Sequence, residues 1–440
     1  MLSYMDFIKY CYSMRKPNHR PILLSALLLL CCLFAHAQNE ISSPYSKYGY
    51  GLPSQITSGA YDAMGKVGYA LQDPYLINYK NPASYVAFDS LSFIADAAFS
   101  IYSSTLKTSE LSQKTSYARP SYLVLGLPVT RHWRTSAGIL PFSNLGYNIA
   151  YSTQLSEDVL VDYAYQGDGG LLQLYWGNAF KICKGLSVGL NASYLFGRLN
   201  YTKTAEFNGS NFFNTMVDRT TLVDGIHLSA GVQYFATIKE KHRLGIGVVY
   251  ENSAYIWTKQ STLTYNYEGT GNYTTLNDTV AYSDNGKGTM QLPQSIGAGL
   301  SYQYKDKWWL TADVTWQDWS HYHLNHEETG NLQNAVSVSA GLQFIPNATS
   351  TNYFNKIRIR AGFHYTTGNI FVNGQSINAF SISAGLGFPL KLFNNNSSIG
   401  IMIEYGQMGT LVNELLRENY FKFSAHFTLQ EKWYQRVKLE

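Results

Sequence analysis

The chain has 440 residues, of which only 14% are charged, and its mean hydropathy is −0.17. A soluble protein of ordinary composition carries about 25% charged residues, so a surface that meets only water is disfavoured. The formal net charge of +4 at pH 7 is too small to indicate a nucleic-acid partner. Tyrosine and glycine are abundant, with 36 residues each.

Residues 1–37 are predicted to be a cleaved signal peptide. A basic start is followed by an apolar run from Ile22 to Ala35, interrupted only by Ser25, and then by the sequence AHA, which is typical of a signal-peptidase site. The run is too short to cross a bilayer as a helix, which needs roughly 20 residues. Removing four basic residues and one acidic residue with this leader leaves 29 basic and 28 acidic residues, and Cys183 is then the one remaining cysteine. We therefore expect an exported chain without an internal disulfide.

Residues 38–88 are rich in turns and too irregular for membrane-spanning strands. The segment ends in INYKNPASY, which contains Asn81, Pro82 and Ala83. Proline fixes its own φ and disfavours the helical region for the residue before it, so the chain has to change direction here. Taken alone, this motif fits a simple turn at the start of the first strand.

Residues 89–430 alternate between apolar and polar side chains, as β-strands with two different faces do. The stretch YFKFSAHFTL places Phe421, Phe423 and Phe427 on one face and Lys422 and His426 on the other. Comparable alternation occurs in LSFIADAAFSI, AVSVSAGLQF, KIRIRAGFHY and FSISAGLGF. A soluble β-sandwich also alternates, but the leader and the scarcity of charge favour a surface in contact with lipid.

We predict about fourteen strands, centred near residues 96, 123, 140, 175, 192, 230, 249, 298, 312, 339, 361, 383, 402 and 425. Polar gaps between them alternate between long (near 104–116, 152–166, 204–222 and 258–287) and short (131–133, 183–185, 239–242 and 305–307). This alternation is typical of outer-membrane barrels, which have short periplasmic turns and long outer loops. Trp133, Trp308 and Trp309 beside the short turns fit a periplasmic aromatic girdle. The predicted fold class is all-β, a transmembrane antiparallel barrel with residues 431–440 as a periplasmic tail.

Seven ionisable residues fall on the polar faces of these strands and are predicted to face the lumen. They are Asp96, Asp313, Arg358, Arg360, Glu404, Lys422 and His426. Asp96 and Lys422 lie on the first and last strands, which must meet to close the barrel. We expect these charges to pair with each other or with the segment before the barrel, because an unpaired charge in the interior is costly. The alternative is that Arg358 or Arg360 holds the carboxylate of a ligand.

Several stretches together resemble the outer-membrane long-chain fatty acid transporter (FadL-type) superfamily. They are SPYSKYGYG, GAYDAMGKVGYAL, INYKNPASY, AGILPFSNLGY, GDGGLLQLYWG and EYGQMGT, and they span nearly all of the chain after the leader. The resemblance implies a 14-stranded barrel closed by an N-terminal hatch, residues 38–88, with Asn81, Pro82 and Ala83 inside the lumen. It also implies a kink in the third strand that opens the barrel wall, here at Pro141, Asn144 and Gly146. An ordinary bulge is the alternative reading of that kink.

The function expected from this resemblance is passive uptake of hydrophobic or amphipathic, fatty-acid-like small molecules across the outer membrane. The hatch would act as a gate, and the third-strand kink would be a lateral exit into outer-membrane lipid. The alternative is a non-transporting barrel that serves as a subunit or scaffold of an outer-membrane secretion or assembly complex.

The sequence does not indicate an enzyme, a cofactor or a metal site. GxSxG, Walker and Cys-x-x-Cys motifs are absent. The stretch HYHLNHEE contains three histidines and two glutamates, but their spacing does not fit a zinc site. We interpret it as a solvated outer loop. These residues are His321, His323, His326, Glu327 and Glu328.

Overall fold

The computed structural model describes residues 43–55, 57–90, 92–156, 159–208, 212–269, 275–325, 331–390 and 397–432. The predicted leader, residues 433–440 of the predicted tail, and His326, Glu327 and Glu328 lie outside these ranges. Residues 431 and 432, the predicted start of the tail, instead end the last strand. Within them, no helix has the length and hydrophobicity needed to cross a membrane.

Fourteen antiparallel strands close into a barrel, because the first strand pairs with both the second and the last. The strands are β1 Ser92–Lys107, β2 Ser112–Pro128, β3 Trp133–Ser156, β4 Val159–Lys181, β5 Leu186–Asn208, β6 Asn214–Ile238, β7 His242–Glu251 with Tyr255–Glu268, β8 Thr275–Gln291 with Gln294–Tyr304, β9 Trp308–Asp318, β10 Ala335–Phe344, β11 Arg358–Thr366, β12 Ala379–Pro389, β13 Ser398–Gly409 and β14 Arg417–Lys432. The predicted fourteen-stranded barrel is confirmed, and every predicted centre lies within its strand.

The remaining elements are short. They are the 3₁₀ helices Pro44–Lys47, Pro82–Ala87, Tyr353–Lys356 and Val412–Glu414, the α-helix Gly59–Asp62, and the two-residue strands Leu52–Pro53, His323–Leu324, Phe371–Val372 and Gln375–Ser376.

The alternation predicted for β14 separates an exposed apolar face from a buried polar one. Phe421, Phe423 and Phe427 are 64%, 45% and 41% exposed, whereas Lys422 and His426 are 8% and 3% exposed. A soluble sandwich would cover such phenylalanines with a second sheet. Exposed apolar side chains at alternate positions are instead the outer surface of a barrel that sits in hydrocarbon.

The outer ends of the longest strands occupy positions where the sequence predicted loops. β3 to β6 contain 24, 23, 23 and 25 residues, whereas β9 to β13 contain 9 to 12. About 9–11 residues cross a bilayer, so the long strands continue as a sheet beyond it. The described residues of the loops predicted at 104–116, 152–166, 204–222 and 258–287 are mainly strand, so these loop predictions are wrong. These stretches are polar, but they contain threonine and tyrosine, which favour strands. The hydrogen bonds between strands involve the backbone and do not require apolar side chains.

The predicted aromatic girdle is correct in part. Trp133 stacks on Phe180, and Trp308 packs on Phe344. Trp309 instead packs against buried residues inside the barrel. Neighbouring residues on a strand face opposite sides, so Trp308 and Trp309 cannot both belong to the girdle.

Residues 43–90, here called the inner segment, lie against the inward faces of strands around the barrel. Its own apolar core consists of Ala60, Tyr61, Met64, Val67, Leu71 and Leu76. Hydrogen bonds to the wall include Tyr85 to Asn191 on β5 (3.0 Å), Gln72 to Gln233 on β6 (2.9 Å), the Gly68 N–H to Asp313 on β9 (2.7 Å) and the Gly65 N–H to Ser383 on β12 (3.1 Å). The inner segment is thus held from several sides.

Candidate functional site

The Asn81-Pro82-Ala83 motif begins the helix Pro82–Ala87. The Asn81 side chain accepts a hydrogen bond from the Ala83 N–H (3.1 Å) and donates one to the Tyr69 carbonyl (2.7 Å). Pro82 occupies the first turn of the helix, where a backbone N–H has no helical partner. Asn81 and Ala83 are fully buried, so the motif forms a fixed corner inside the barrel.

Two glycines in the barrel wall make room for this corner. Gly189 on β5 is paired with Gly231 on β6. A Cβ atom on Gly189 would collide with the backbone of Pro82 and Ala83, and one on Gly231 would collide with the Asn81 side chain. The wall therefore has a recess whose shape matches the motif.

Asp313 on β9 is one of the predicted lumen charges, and it binds the inner segment directly. One of its carboxylate oxygens accepts hydrogen bonds from the backbone N–H groups of Gly68 (2.7 Å) and Tyr69 (3.1 Å). The Lys80 ammonium lies 3.3 Å from the same oxygen. This carboxylate fixes a turn of the inner segment.

Glu404 and Lys422 form a second contact between the wall and the inner segment. Glu404 lies 2.9 Å from Lys66 and 3.8 Å from Lys422, and it accepts a hydrogen bond from Tyr420 (2.8 Å). Lys422 forms a short ion pair with Asp62 of the inner segment. Burial lowers the pKa of the Lys66 ammonium, but Glu404, Tyr420 and Asp62 together outweigh burial and raise that pKa above its ordinary range. These charges make a buried network of two cations and two carboxylates.

Asp96 is not part of that network. It accepts hydrogen bonds from Tyr122 (3.2 Å) and Thr428 (3.1 Å). Asp96 and Lys422 therefore do not contact each other but bind different partners. Lys422 pairs with Asp62 of the inner segment and not with Asp96, which is one of the two arrangements that the sequence predicted.

The remaining predicted lumen residues also lie on the inner wall. Arg360 is 3% exposed and donates a hydrogen bond to Gln343 (2.8 Å). Arg358 is half-buried, and the ring of His426 lies where a Cβ atom on Gly59 or Gly400 would be. Neither arginine lines the luminal cavity described below.

The third strand separates from the second after Ile139, within the first third of its length. The pairing of β2 with β3 ends at Leu123 and Ile139. Beyond this point β2 contains Pro120 and β3 contains Pro141, and a proline cannot donate to a ladder. β3 stays paired with β4, with a bulge between Pro141 and Ser143. The outer half of the β2–β3 boundary is therefore an interrupted part of the wall, which we call the seam.

The start of the inner segment covers the free edge of β3 at the seam. Leu52 and Pro53 pair with Asn144 and Ser143. The Ser54 N–H donates to the Phe142 carbonyl, and the Ser43 N–H donates to the Gly146 carbonyl, both at 2.9 Å. Pro141, Asn144 and Gly146 thus lie along the edge that residues 43–54 cover. We call residues 43–54 the strap.

A cavity of about 420 Å³ lies inside the barrel next to the seam. Its lining is mixed, with hydroxyl groups, ionised side chains and aromatic rings. Residues that represent these classes are Ser339, Ser381, Lys422, Glu404, Tyr102, Tyr117, Phe142 and Arg119. The cavity is thus suited to a molecule that carries both apolar and polar groups.

Arg119 on β2 is the most distinctive group in this lining. It is 9% exposed, its Nη1 donates a short hydrogen bond to Asn144 across the seam, and its Nε has no partner. No described carboxylate forms an ion pair with it. Its guanidinium lies 5.3 Å from the ring centroid of Tyr102, which stacks on Tyr117. An unpaired buried guanidinium beside a cavity can bind an anionic group.

Sequence reasoning missed Arg119 and Pro120. A proline within the predicted second strand was a signal for a break in pairing, and it was available from the sequence. The burial of Arg119 had no such signal, because it depends on how the strap and the seam meet.

The predicted histidine-rich loop is described only in part. His321 lies 3.1 Å from Asp318 and is largely exposed. Among the described residues, no group of three metal-ligating side chains occurs.

Solved structures with a similar fold include two proteins described as toluene transporters and one described as a FadL homologue. The toluene transporter TodX of P. putida is 15% identical with a TM-score of 0.59, over 87% of this chain and 100% of its own. The toluene transporter TbuX of Ralstonia pickettii is 13% identical (TM-score 0.56, 86% and 99%), and a FadL homologue of Pseudomonas aeruginosa is 12% identical (0.57, 88% and 100%). At these identities the likeness establishes the FadL-type barrel fold. No curated protein matches the sequence.

The sequence matches one protein family over almost its whole length. Residues 20–440 fit the family described as BamG. This range includes the inner segment, the seam and all fourteen strands. The chain therefore belongs to the BamG family.

Proposed function

We propose that this protein is an outer-membrane channel for the passive uptake of amphipathic small molecules. In this proposal the ligand occupies the luminal cavity, the inner segment acts as the gate, and the seam is the lateral exit into lipid. The driving force is the transfer of apolar groups from water, worth roughly 0.8 kcal/mol per CH₂. No bond is made or broken.

The observation that carries the proposal is Arg119, an unpaired guanidinium that is 9% exposed and lines the cavity at the seam. It would hold an anionic head group, such as a carboxylate, while Tyr102 and Tyr117 contact the neighbouring apolar chain. This arrangement favours an amphipathic ligand over a pure hydrocarbon such as toluene, the compound named for TodX and TbuX. Arg119 replaces Arg358 and Arg360 as the proposed head-group residue.

Binding of a fluorescent long-chain fatty acid to detergent-purified protein tests this proposal. We expect Arg119→Gln to weaken binding by 1.5–3 kcal/mol, about the value of a charge-assisted hydrogen bond. The matched control is Arg131→Gln, which changes an exposed arginine in the turn after β2 and should leave binding unchanged. Mass spectrometry of lipids that co-purify with the parent protein would identify the natural class. Equal binding by the two variants would contradict the role of Arg119.

A second candidate function is a scaffold or subunit in an outer-membrane complex. One observation favours it: ion pairs tie the inner segment to the wall. Purification under mild detergent conditions separates the candidates. A stoichiometric partner together with no bound lipid and no fatty-acid binding would favour the scaffold.

A further inference from the structure

The ring of Tyr50 joins three parts of the molecule that are distant in sequence. Its centroid lies 5.2 Å from Trp319 and 5.7 Å from Tyr322, both in the connection after β9. It also lies 5.5 Å from Phe142, the bulged residue of β3 at the seam. Tyr50 itself belongs to the strap. The connection after β9, the strap and the seam therefore meet at one aromatic side chain.

The backbone around Tyr50 is fixed to the seam. The Ser143 hydroxyl donates to the Tyr50 carbonyl at 2.8 Å. The next residue, Gly51, has φ +92° and lies so close to the Asn144 carbonyl that a Cβ atom would not fit. The strap can move at Tyr50 only if it leaves the edge of β3.

The connection after β9 covers the same cluster. Trp319 and Tyr322 are 1% and 3% exposed, and they belong to one apolar core with Tyr50, Leu324 and Leu292. Residues 319–325, which we call the outer cover, therefore pack on this core through Trp319, Tyr322 and Leu324. Its position is fixed by the pairing of Leu324 with Met290 and by the Trp319 N–H, which donates to Asn334 (2.8 Å).

We propose that the outer cover and the strap open as one unit, because both pack on Tyr50. Lifting the outer cover removes two of the three ring contacts that hold Tyr50 in place, and release of the strap removes the ring on which the cover packs. Access from outside and opening of the seam would then be coupled. This coupling would regulate access to the cavity. Its biological role rests on the proposed function, but the coupling itself does not.

Thiol reactivity at the seam tests the coupling without a ligand. A Cys183→Ser background carries the reporter Ser143→Cys, whose position is 1% exposed beneath the strap. A second reporter, Leu324→Cys, is 7% exposed in the outer cover. Maleimide labelling rates are measured on detergent-purified protein, and protein without a reporter gives the background.

The decisive variant is Trp319→Ala. The substitution is in the outer cover, and its effect is measured as the labelling rate of Ser143→Cys at the seam. We expect Ser143→Cys to label roughly two- to tenfold faster, the change that corresponds to one lost aromatic pair. Tyr50→Ala should accelerate both reporters, and Tyr50→Phe, which keeps the ring, should accelerate neither. Trp316→Ala is the matched control, because Trp316 is 38% exposed on β9, the strand that precedes the outer cover, and should leave both rates unchanged.

The coupling would be overturned if Trp319→Ala accelerates the Leu324 reporter but not the Ser143 reporter. It would also be overturned if the double variant Tyr50→Ala with Trp319→Ala opened the seam by the product of the two single effects, since a shared contact cannot be lost twice. Should Trp319→Ala fail to fold, Tyr322→Ala gives the same test from the other ring of the cover. The labelling experiment needs no ligand, so it can detect the coupling even if the protein binds no fatty acid. Failure of the coupling and failure of the proposed function are therefore distinguishable.

Discussion

Single charged residues attach the inner segment to the barrel wall. Lys66 and Glu404 are 15% and 1% exposed and lie 2.9 Å apart, so the carboxylate has almost no contact with water. Removing one member of such a pair leaves an uncompensated charge in a site of low polarity. The pairs therefore set the position of the inner segment even where their net contribution to stability is small.

Lys66→Met should lower the free energy of unfolding by roughly 3–5 kcal/mol, because Glu404 loses its closest cation. Thermal or denaturant unfolding of the detergent-solubilised protein measures this change. Lys184→Met, which alters an exposed lysine in the turn after β4, is the control and should have little effect. Adding Glu404→Gln to Lys66→Met should recover part of the loss, and a double variant that loses the full sum would argue against direct pairing.

At the scale of elements, β5 and β6 are shaped to receive the Asn81-Pro82-Ala83 corner. Glycine lowers strand stability, yet Gly189 and Gly231 face each other at the point where the corner approaches the wall. Because these two positions have no side chain, the inner segment can approach the backbone of the strands closely.

Gly231→Ala should loosen the corner, because its methyl group would meet the Asn81 side chain. We expect local opening of residues 81–87 to become easier by about 1–3 kcal/mol, the usual cost of overpacking, with the barrel itself intact. Hydrogen exchange of these amides measures the opening. Ala230→Val, at the exposed neighbouring position, should leave exchange unchanged, and equal exchange in both variants would contradict the packing argument.

At the scale of the whole molecule, one barrel combines a lipid-facing belt with a sheet that continues past it. Apolar side chains are exposed in both parts, for example Phe427 on β14 and Leu160 near the outer end of β4. Exposure alone therefore does not mark the membrane. The position along the strand does. Phe427 is five residues from the end of β14 that pairs with the start of β1, whereas Leu160 is about 20 residues from the short turn after β4.

Phe427→Arg should destabilise the barrel in lipid vesicles by about 2–4 kcal/mol, whereas Leu160→Arg should cost about 0–1 kcal/mol. The difference arises because only Phe427 would place a charge in hydrocarbon. Urea titration of folding into vesicles measures both variants. The comparison requires lipid, because without a bilayer neither residue meets hydrocarbon. Equal destabilisation of the two variants in vesicles would mean that the lipid-facing belt extends to the outer sheet.

Alternation along the sequence determined the barrel and its faces. Phe421, Lys422, Phe423 and His426 took the predicted sides because neighbouring residues on a strand must point in opposite directions. The same local rule placed all fourteen strand centres. It could not predict the length of β3 to β6, since a polar stretch such as residues 152–166 fits a loop or a strand beyond the membrane equally well.

Only the tertiary structure decided which charges meet and where the wall is interrupted. Lys422 pairs with Asp62, 360 positions earlier in the chain, and Arg119 is buried against Asn144 and Tyr102 at the seam. Such contacts depend on how the chain returns on itself, which short-range periodicity does not encode. The sequence by itself determined a closed sheet with a wet interior and an apolar exterior, because period-two patterning is local. The arrangement of the inner segment required the fold, because it is set by long-range pairing of buried groups.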